Sequence, residues 1–224
     1  MAFRPPNREP RLAALGGRLG LRFGEPGSVE DASQLSRRAL LSALSALGIL
    51  CFEGNAEAEA PSAPVPVQAQ VIARILPFER GFAQVSANTV GVIIAERSGD
   101  ADSASAARQM ARALEDIGSI AKKPIVSASV TFVSASALVN ECKKRSALVL
   151  YLTPGLGNEM AAIGAGLAGS RVLTVAAVES DVPRGAVLGI EVVAGKPHMS
   201  INLAQAKIQK LDFPSAVLKL ARIY

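Results

Sequence analysis

The sequence predicts an α/β fold: an open, mostly parallel sheet with flanking helices and a C-terminal antiparallel hairpin. Three observations carry this expectation. Between residues 89 and 178, apolar runs of strand length alternate with segments of helical periodicity, and β–α alternation implies parallel strands joined by right-handed crossovers. Half of the residues are hydrophobic, yet aromatics make up only 4% and Trp is absent. Ala, Val, Leu and Ile therefore fill the core, the balance that suits strands buried on both faces. The length of 224 residues is enough for one sizeable core and short enough for one domain.

In chain order, residues 61–67 carry Pro61, Pro64 and Pro66 and read as a stiff, extended leader. A single α/β domain is then expected over residues 68–224. Val71, Ile72, Ile75 and Leu76 fall at helical spacing, so Gln68 to Arg80 reads as an amphipathic helix with Pro77 able to kink its end. Thr89 to Glu96 is a buried-strand run, followed by a loop in which Asp102 or Ser103 can cap a helix through Ile117. Ile125 to Val133 repeats the strand signal, and Ser134 or Ser136 can cap a helix through Arg145. Ala147 to Leu152 is a third apolar strand, and Thr153-Pro154-Gly155-Leu156-Gly157 turns into an Ala/Gly-rich helix before a fourth strand from Arg171 to Val178. Ala186 to Val193 and His198 to Asn202 flank the turn Ala194-Gly195-Lys196-Pro197 as a hairpin, and two short helices finish the chain.

Ahead of this domain, Ser36-Arg37-Arg38-Ala39-Leu40-Leu41 opens an uncharged stretch to Phe52, with Ala56-Glu57-Ala58 or Ala58-Glu59-Ala60 after it. Basic, apolar and small-residue regions in that order predict a cleavable signal peptide over residues 37–60 and a periplasmic protein. The arginine pair favours twin-arginine export over Sec. As a helix, Ala39 to Phe52 would cover roughly 21 Å, short of the ~30 Å hydrocarbon core, which argues against a membrane anchor. Cys51 follows Ile49 and Leu50 rather than small residues and is read as part of the signal. Residues 1–36 show no periodicity and read as a disordered extension or a mis-assigned start.

The net charge is +5, and residues 61–224 hold 17 Lys and Arg against 12 Asp and Glu, so the basic balance lies in the domain. Apart from Lys143-Lys144-Arg145 the cations are scattered and no aromatic–basic interleaving occurs, which speaks against nucleic-acid binding. Loss of the signal leaves Cys142 alone, so no internal disulfide is expected; an intermolecular disulfide and a homodimer stay open.

Few motifs carry chemistry. Gly164-Ala165-Gly166-Leu167-Ala168-Gly169 matches the dinucleotide fingerprint in letters, but it closes a helix before a strand instead of following one. It reads as a glycine-rich helix packing closely on a neighbour. The loop Thr153 to Asn158 is better placed, at the carboxyl end of a predicted strand, where open α/β sheets bind ligands. Thr153, Gly155, Gly157 and Asn158 are the candidate ligand-binding residues, for a small anion or polar solute, although no Lys, Arg or Ser adjoins them in sequence. His198 is the only histidine and reads as a strand-end surface residue. Cys142 reads as an inert thiol despite Lys143 and Lys144 beside it. The carboxylates show no paired spacing for acid–base work or metal binding, so no catalytic residue, metal or cofactor is expected.

The C-terminal residues carry a resemblance. Val172-Leu173-Thr174-Val175, Asp181-Val182-Pro183-Arg184-Gly185, Leu188-Gly189-Ile190, Gly195-Lys196-Pro197, Ile201-Asn202-Leu203-Ala204-Gln205-Ala206 and Leu218-Lys219-Leu220-Ala221 together resemble the YfiR-like family of bacterial periplasmic proteins. Pro77-Phe78-Glu79-Arg80 stands where that family usually has an aromatic Phe/Trp-Pro segment, and its better-known members carry cysteine pairs that this chain lacks. The resemblance implies a non-enzymatic periplasmic regulator that represses an inner-membrane diguanylate cyclase, lowering cyclic-di-GMP and biofilm formation. The alternative, from the β/α order and the Thr153 loop, is a single-lobe periplasmic solute-binding protein. An enzyme ranks third.

Overall fold

The computed structural model describes residues 61–224; the expected extension and export signal, residues 1–60, lie outside the described residues. The elements run α1 (Val65–Ile75), β1 (Val90–Arg97), α2 (Ala101–Ile117), β2 (Ser119–Ile120), β3 (Lys123–Phe132), α3 (Ala135–Lys144), β4 (Ala147–Leu152), α4 (Met160–Gly166) and β5 (Leu173–Ala176). They continue with β6 (Leu188–Val193), β7 (Lys196–Ile201), α5 (Leu203–Ile208), α6 (Ser215–Leu218) and β8 (Ala221–Ile223). The sheet order is β2-β3-β1-β4-β5-β6-β7-β8. β3, β1, β4, β5 and β6 are parallel, β6 and β7 form the antiparallel hairpin, and β8 adds parallel to β7. No helix among the described residues is long and apolar enough to cross a membrane.

Strand alternation builds two cores, one on each face of the sheet. Val90, Val92 and Ile94 of β1 pack with Val149 and Tyr151 of β4 against α1 and α2, through residues such as Ile72, Met110 and Leu114. Ile93 and Ala95 point the other way, with Leu150 and Leu152, onto Leu138, Val139 and Cys142 of α3 and Met160 and Ile163 of α4. Burial on both faces is why the central strands read as continuous apolar runs rather than alternating ones.

Residues 61–67 depart from the extended leader expected of them. Ser62 is bound into the fold: its N–H donates to the Ala177 carbonyl at 3.0 Å, its carbonyl accepts from Val192 N–H at 3.2 Å, and its hydroxyl accepts from Glu179 N–H at 2.7 Å. Pro66 lies in the first turn of α1, where a missing N–H costs nothing because that donor has no helical partner. At the other end α1 gives way at Ile75 to a tighter turn, Leu76–Phe78, where Pro77 cannot donate to the ladder. Two further details differ. Asp100, not Asp102 or Ser103, caps α2 by accepting from Ser103 N–H at 2.9 Å; and the tail ends in a short strand after the two expected helices. Asn202 caps α5, accepting from Gln205 N–H at 2.9 Å, while its amide donates to the Val182 carbonyl at 3.0 Å.

Candidate functional site

β1 leads through α2 to β3 on one side and β4 lies on its other side, so the strand order reverses between β1 and β4. The loops leaving the carboxyl ends of these two strands diverge there, and in open α/β sheets such a crevice is the ligand position. The candidate loop Thr153 to Asn158 follows β4 and borders this point.

The four candidate residues do not converge. Thr153 is buried, and its hydroxyl donates to the Ala95 carbonyl at 2.8 Å and lies 2.6 Å from the Ser103 hydroxyl. Ser103 in turn accepts from Arg97 N–H at 2.7 Å. This network satisfies buried polar groups where β1 and β4 separate, each bond contributing about 1 kcal/mol. Gly155 accepts through its carbonyl from the Arg97 guanidinium. Gly157 opens a short turn, Gly157–Glu159, against the Asp181–Arg184 pair. A Cβ there would stand 2.6 Å from Asp181 Oδ1 and 2.8 Å from Arg184 Nη1. Asn158 is exposed. Sequence reasoning missed Arg97, Ser103, Asp181 and Arg184, because the cations and hydroxyl that the loop lacks among its sequence neighbours arrive from other elements. Arg184 and Asp181 are 3.3 Å apart, Asp181 buried and Arg184 half exposed.

The remaining candidates are structural. In the Gly164 to Gly169 segment, Gly164 and Gly166 lie in α4, and Gly164 is pressed against the Gly185 carbonyl and the Gln205 amide, 2.7 and 2.8 Å from where a Cβ would sit. His198 is exposed on β7 opposite Glu191 of β6. Among the described residues no group of His, Cys, Asp or Glu is arranged to hold a metal ion.

Cys142 is buried beneath α3, and burial, reinforced by the Glu141 charge, pushes its thiol up to about 11. At pH 8 that leaves only about one thiolate per thousand. Labelling of Cys142 by iodoacetamide at pH 8, followed by mass spectrometry, is therefore expected to be slower in the native protein than in urea by about a hundredfold. Equal rates would contradict an inert thiol.

Several solved structures align with the described domain, one of them closely enough to share the fold. An ABC domain in complex with L-Trp from Streptococcus pneumonia aligns with a TM-score of 0.54 at 11% identity, covering 72% of this chain and 62% of that one. This chain thus spans less than two thirds of that structure's length. A conserved domain protein from Vibrio cholerae aligns at 0.47 with 18% identity, covering 72% and 60%. A ligand-free, open substrate-binding protein with adhesive properties from Clostridium difficile aligns at 0.49 with 11% identity, covering 69% and 57%. No curated protein matches by sequence. A family model does: the one described as YfiR/HmsC-like matches residues 67–222, from the first turns of α1 to the last strand. The resemblance carried by Leu173-Thr174-Val175, the Asp181 to Gly185 turn and Ile201-Asn202-Leu203 thus extends over nearly the whole described domain, and the chain belongs to the YfiR/HmsC-like family.

Proposed function

We propose that this chain is a non-enzymatic periplasmic regulatory or sensor protein that acts on an inner-membrane signalling partner such as a diguanylate cyclase, thereby setting cyclic-di-GMP and biofilm output. The observation that carries the reading is the family match over residues 67–222, which supports a periplasmic regulator in general terms. The partner, and export through the residue 37–60 signal, belong to the proposal. The geometry is compatible with this role. At the strand-order reversal Thr153, Ser103 and Arg97 are engaged with one another and with the backbone. Deletion of the gene is expected to raise cellular cyclic-di-GMP several-fold, and expression of the full chain to restore it. An unchanged pool would overturn the reading.

A second reading, a single-lobe solute-binding protein, is favoured by one observation: the Thr153 to Asn158 loop stands at that reversal, with Arg97 and Arg184 brought beside it. The fold likeness to a domain crystallised with L-Trp suggests amino acids as the first probes. A true ligand at a hundredfold excess over Kd would add about 2.7 kcal/mol of stability, readily seen as a rise in thermal midpoint. A panel of amino acids and small anions that leaves the midpoint unmoved would remove this alternative.

A further inference from the structure

β3, β1, β4 and β5 run parallel, so the chain enters all of them from one end of the sheet. Cations that are scattered in sequence gather there. Lys122 and Lys123 lead into β3, Lys143, Lys144 and Arg145 into β4, and Arg171 into β5. The opposite, carboxyl end is acidic. Glu96 and Asp100 lie where β1 ends, Asp102 in the first turn of α2, Glu159 after β4, and Glu179 and Asp181 after β5, against Arg97 and Arg184.

Part of this polarity follows from helix dipoles, which favour cations at helix C-termini and carboxylates at N-termini; Lys143, Lys144 and Asp102 are so placed. The rest does not. Lys122, Arg171 and Lys210 lie outside the helices and hold φ at +68°, +60° and +58°, the left-handed backbone in which Gly or Asn costs least. A long cationic side chain is a costly choice there unless its charge is used.

Arg171 and the end of α5 form one patch. Arg171 N–H donates to the Gln209 carbonyl at 2.9 Å and Gly169 N–H to the Ile208 carbonyl at 2.8 Å, which sets Arg171 beside Lys207 and Lys210. The Lys210 side chain lies along Gly169, and the Arg171 guanidinium lies against Gly81, next to Arg80. Arg80 pairs with Asp212 at 2.9 Å, and Glu141 holds Lys144 and Arg145. Lys143, Arg171, Lys207 and Lys210 are exposed and form no ion pair among the described residues. Glu115 and Asp116 end α2 on the β2 side of the sheet, where they balance Lys122 and Lys123. Two large apolar side chains stand among the free cations, Ile208 49% exposed and Phe78 59% exposed.

We propose that this amino end of the sheet docks on an anionic lipid bilayer through Arg171, Lys207 and Lys210, with Ile208 and Phe78 entering the headgroup layer. Exposed cations interspersed with a few apolar side chains match the chemistry of such a surface, which offers spread negative charge above a hydrocarbon boundary. The cations come from separate elements and lie side by side, which suits an extended sheet of charge better than one small anion. The same surface repels the acidic carboxyl end, so the docked domain turns the Thr153 to Asn158 loop away from the lipid.

The test is co-sedimentation of the protein, purified from cells expressing the full chain, with vesicles. Binding is expected to vesicles of phosphatidylglycerol and phosphatidylcholine in equal parts, not to phosphatidylcholine alone, and release is expected in about 1 M salt, where screening acts within roughly 3 Å. Arg171→Asn combined with Lys210→Asn removes two charges while suiting the left-handed backbone, and is expected to weaken binding by about tenfold or more with the thermal midpoint unchanged or raised. Arg108→Gln combined with Arg112→Gln removes the same charge from the exposed face of α2 and is expected to leave binding near wild type. No binding to the anionic vesicles, equal binding to both vesicle types, or equal losses in the two double variants overturns the proposal. So does a protein that sediments with purified peptidoglycan but not with lipid. Vesicle binding and the cyclic-di-GMP pool are separate readouts, so either can fail alone.

Discussion

Gly185→Ala is expected to lower stability by at least ~3 kcal/mol, enough to drop the thermal midpoint by roughly 6–12 °C for a domain of this size. Two penalties act at once. Gly185 holds φ at +142°, a backbone conformation that L side chains rarely adopt, and a Cβ there would sit 2.6 Å from the Met160 carbonyl oxygen at the start of α4. Neither penalty can be relieved by rotating a side chain, because the obstacle is backbone. The same contact is felt from the other side, where a Cβ on Gly164 would meet the Gly185 carbonyl at 2.7 Å. Gly195→Ala is the control: φ is +75° but nothing lies within 4 Å, so only the conformational cost of about 1 kcal/mol applies. Melting curves followed by circular dichroism read the difference. Equal midpoints for the two variants would show that α4 and the Asp181 to Gly185 turn are not locked together as described.

Ile94→Ala is expected to cost about 2–5 kcal/mol, and Ile94→Val about 0.5–1.5 kcal/mol. Ile94 is fully buried and lies mid-strand in β1, between Ser129 of β3 and Tyr151 of β4. Held on both edges by hydrogen-bonded neighbours, β1 cannot shift to fill the space, so a cavity remains and its cost adds to the lost burial. Urea unfolding should show a lower midpoint with an unchanged slope, the mark of a stability change without a change in exposed surface. A loss below about 1 kcal/mol would mean that the centre of this core can collapse around the deletion.

Much of the fold was legible in the chain. Ala147 to Leu152 is a strand with the bounds read from its apolar run, and Ser134 and Asn202 cap the helices they precede. These are local features: burial on both faces leaves an unbroken hydrophobic stretch, and a short polar side chain satisfies the first free amides of a helix. The N-terminal prolines misled for a local reason too. Pro61, Pro64 and Pro66 describe the conformation of an isolated segment, whereas Ser62 is held by hydrogen bonds to Ala177, Val192 and Glu179, more than a hundred residues away.

The candidate site was legible only in its address. A turn after a strand marks the end of the sheet where ligands gather, and Thr153 to Asn158 is such a turn. Whether a side chain there faces outward depends on partners that no spacing rule contains. Thr153 turns inward because Ser103 and the Ala95 carbonyl lie within hydrogen-bond reach, and desolvating its hydroxyl unpaired would cost more than satisfying it.

By itself, then, the sequence determined the alternating β/α architecture, the caps of α3 and α5 and the C-terminal family pattern, because each follows from periodicity and local hydrogen bonding. The order β2-β3-β1-β4-β5-β6-β7-β8, the use of Thr153 as an internal bond, the arrival of Arg97 and Arg184 beside the loop, and the gathering of cations at the amino end of the sheet were decided only in the tertiary structure. Each of them depends on which distant segments become neighbours, and that is settled by the joint burial of two core faces rather than by any local preference.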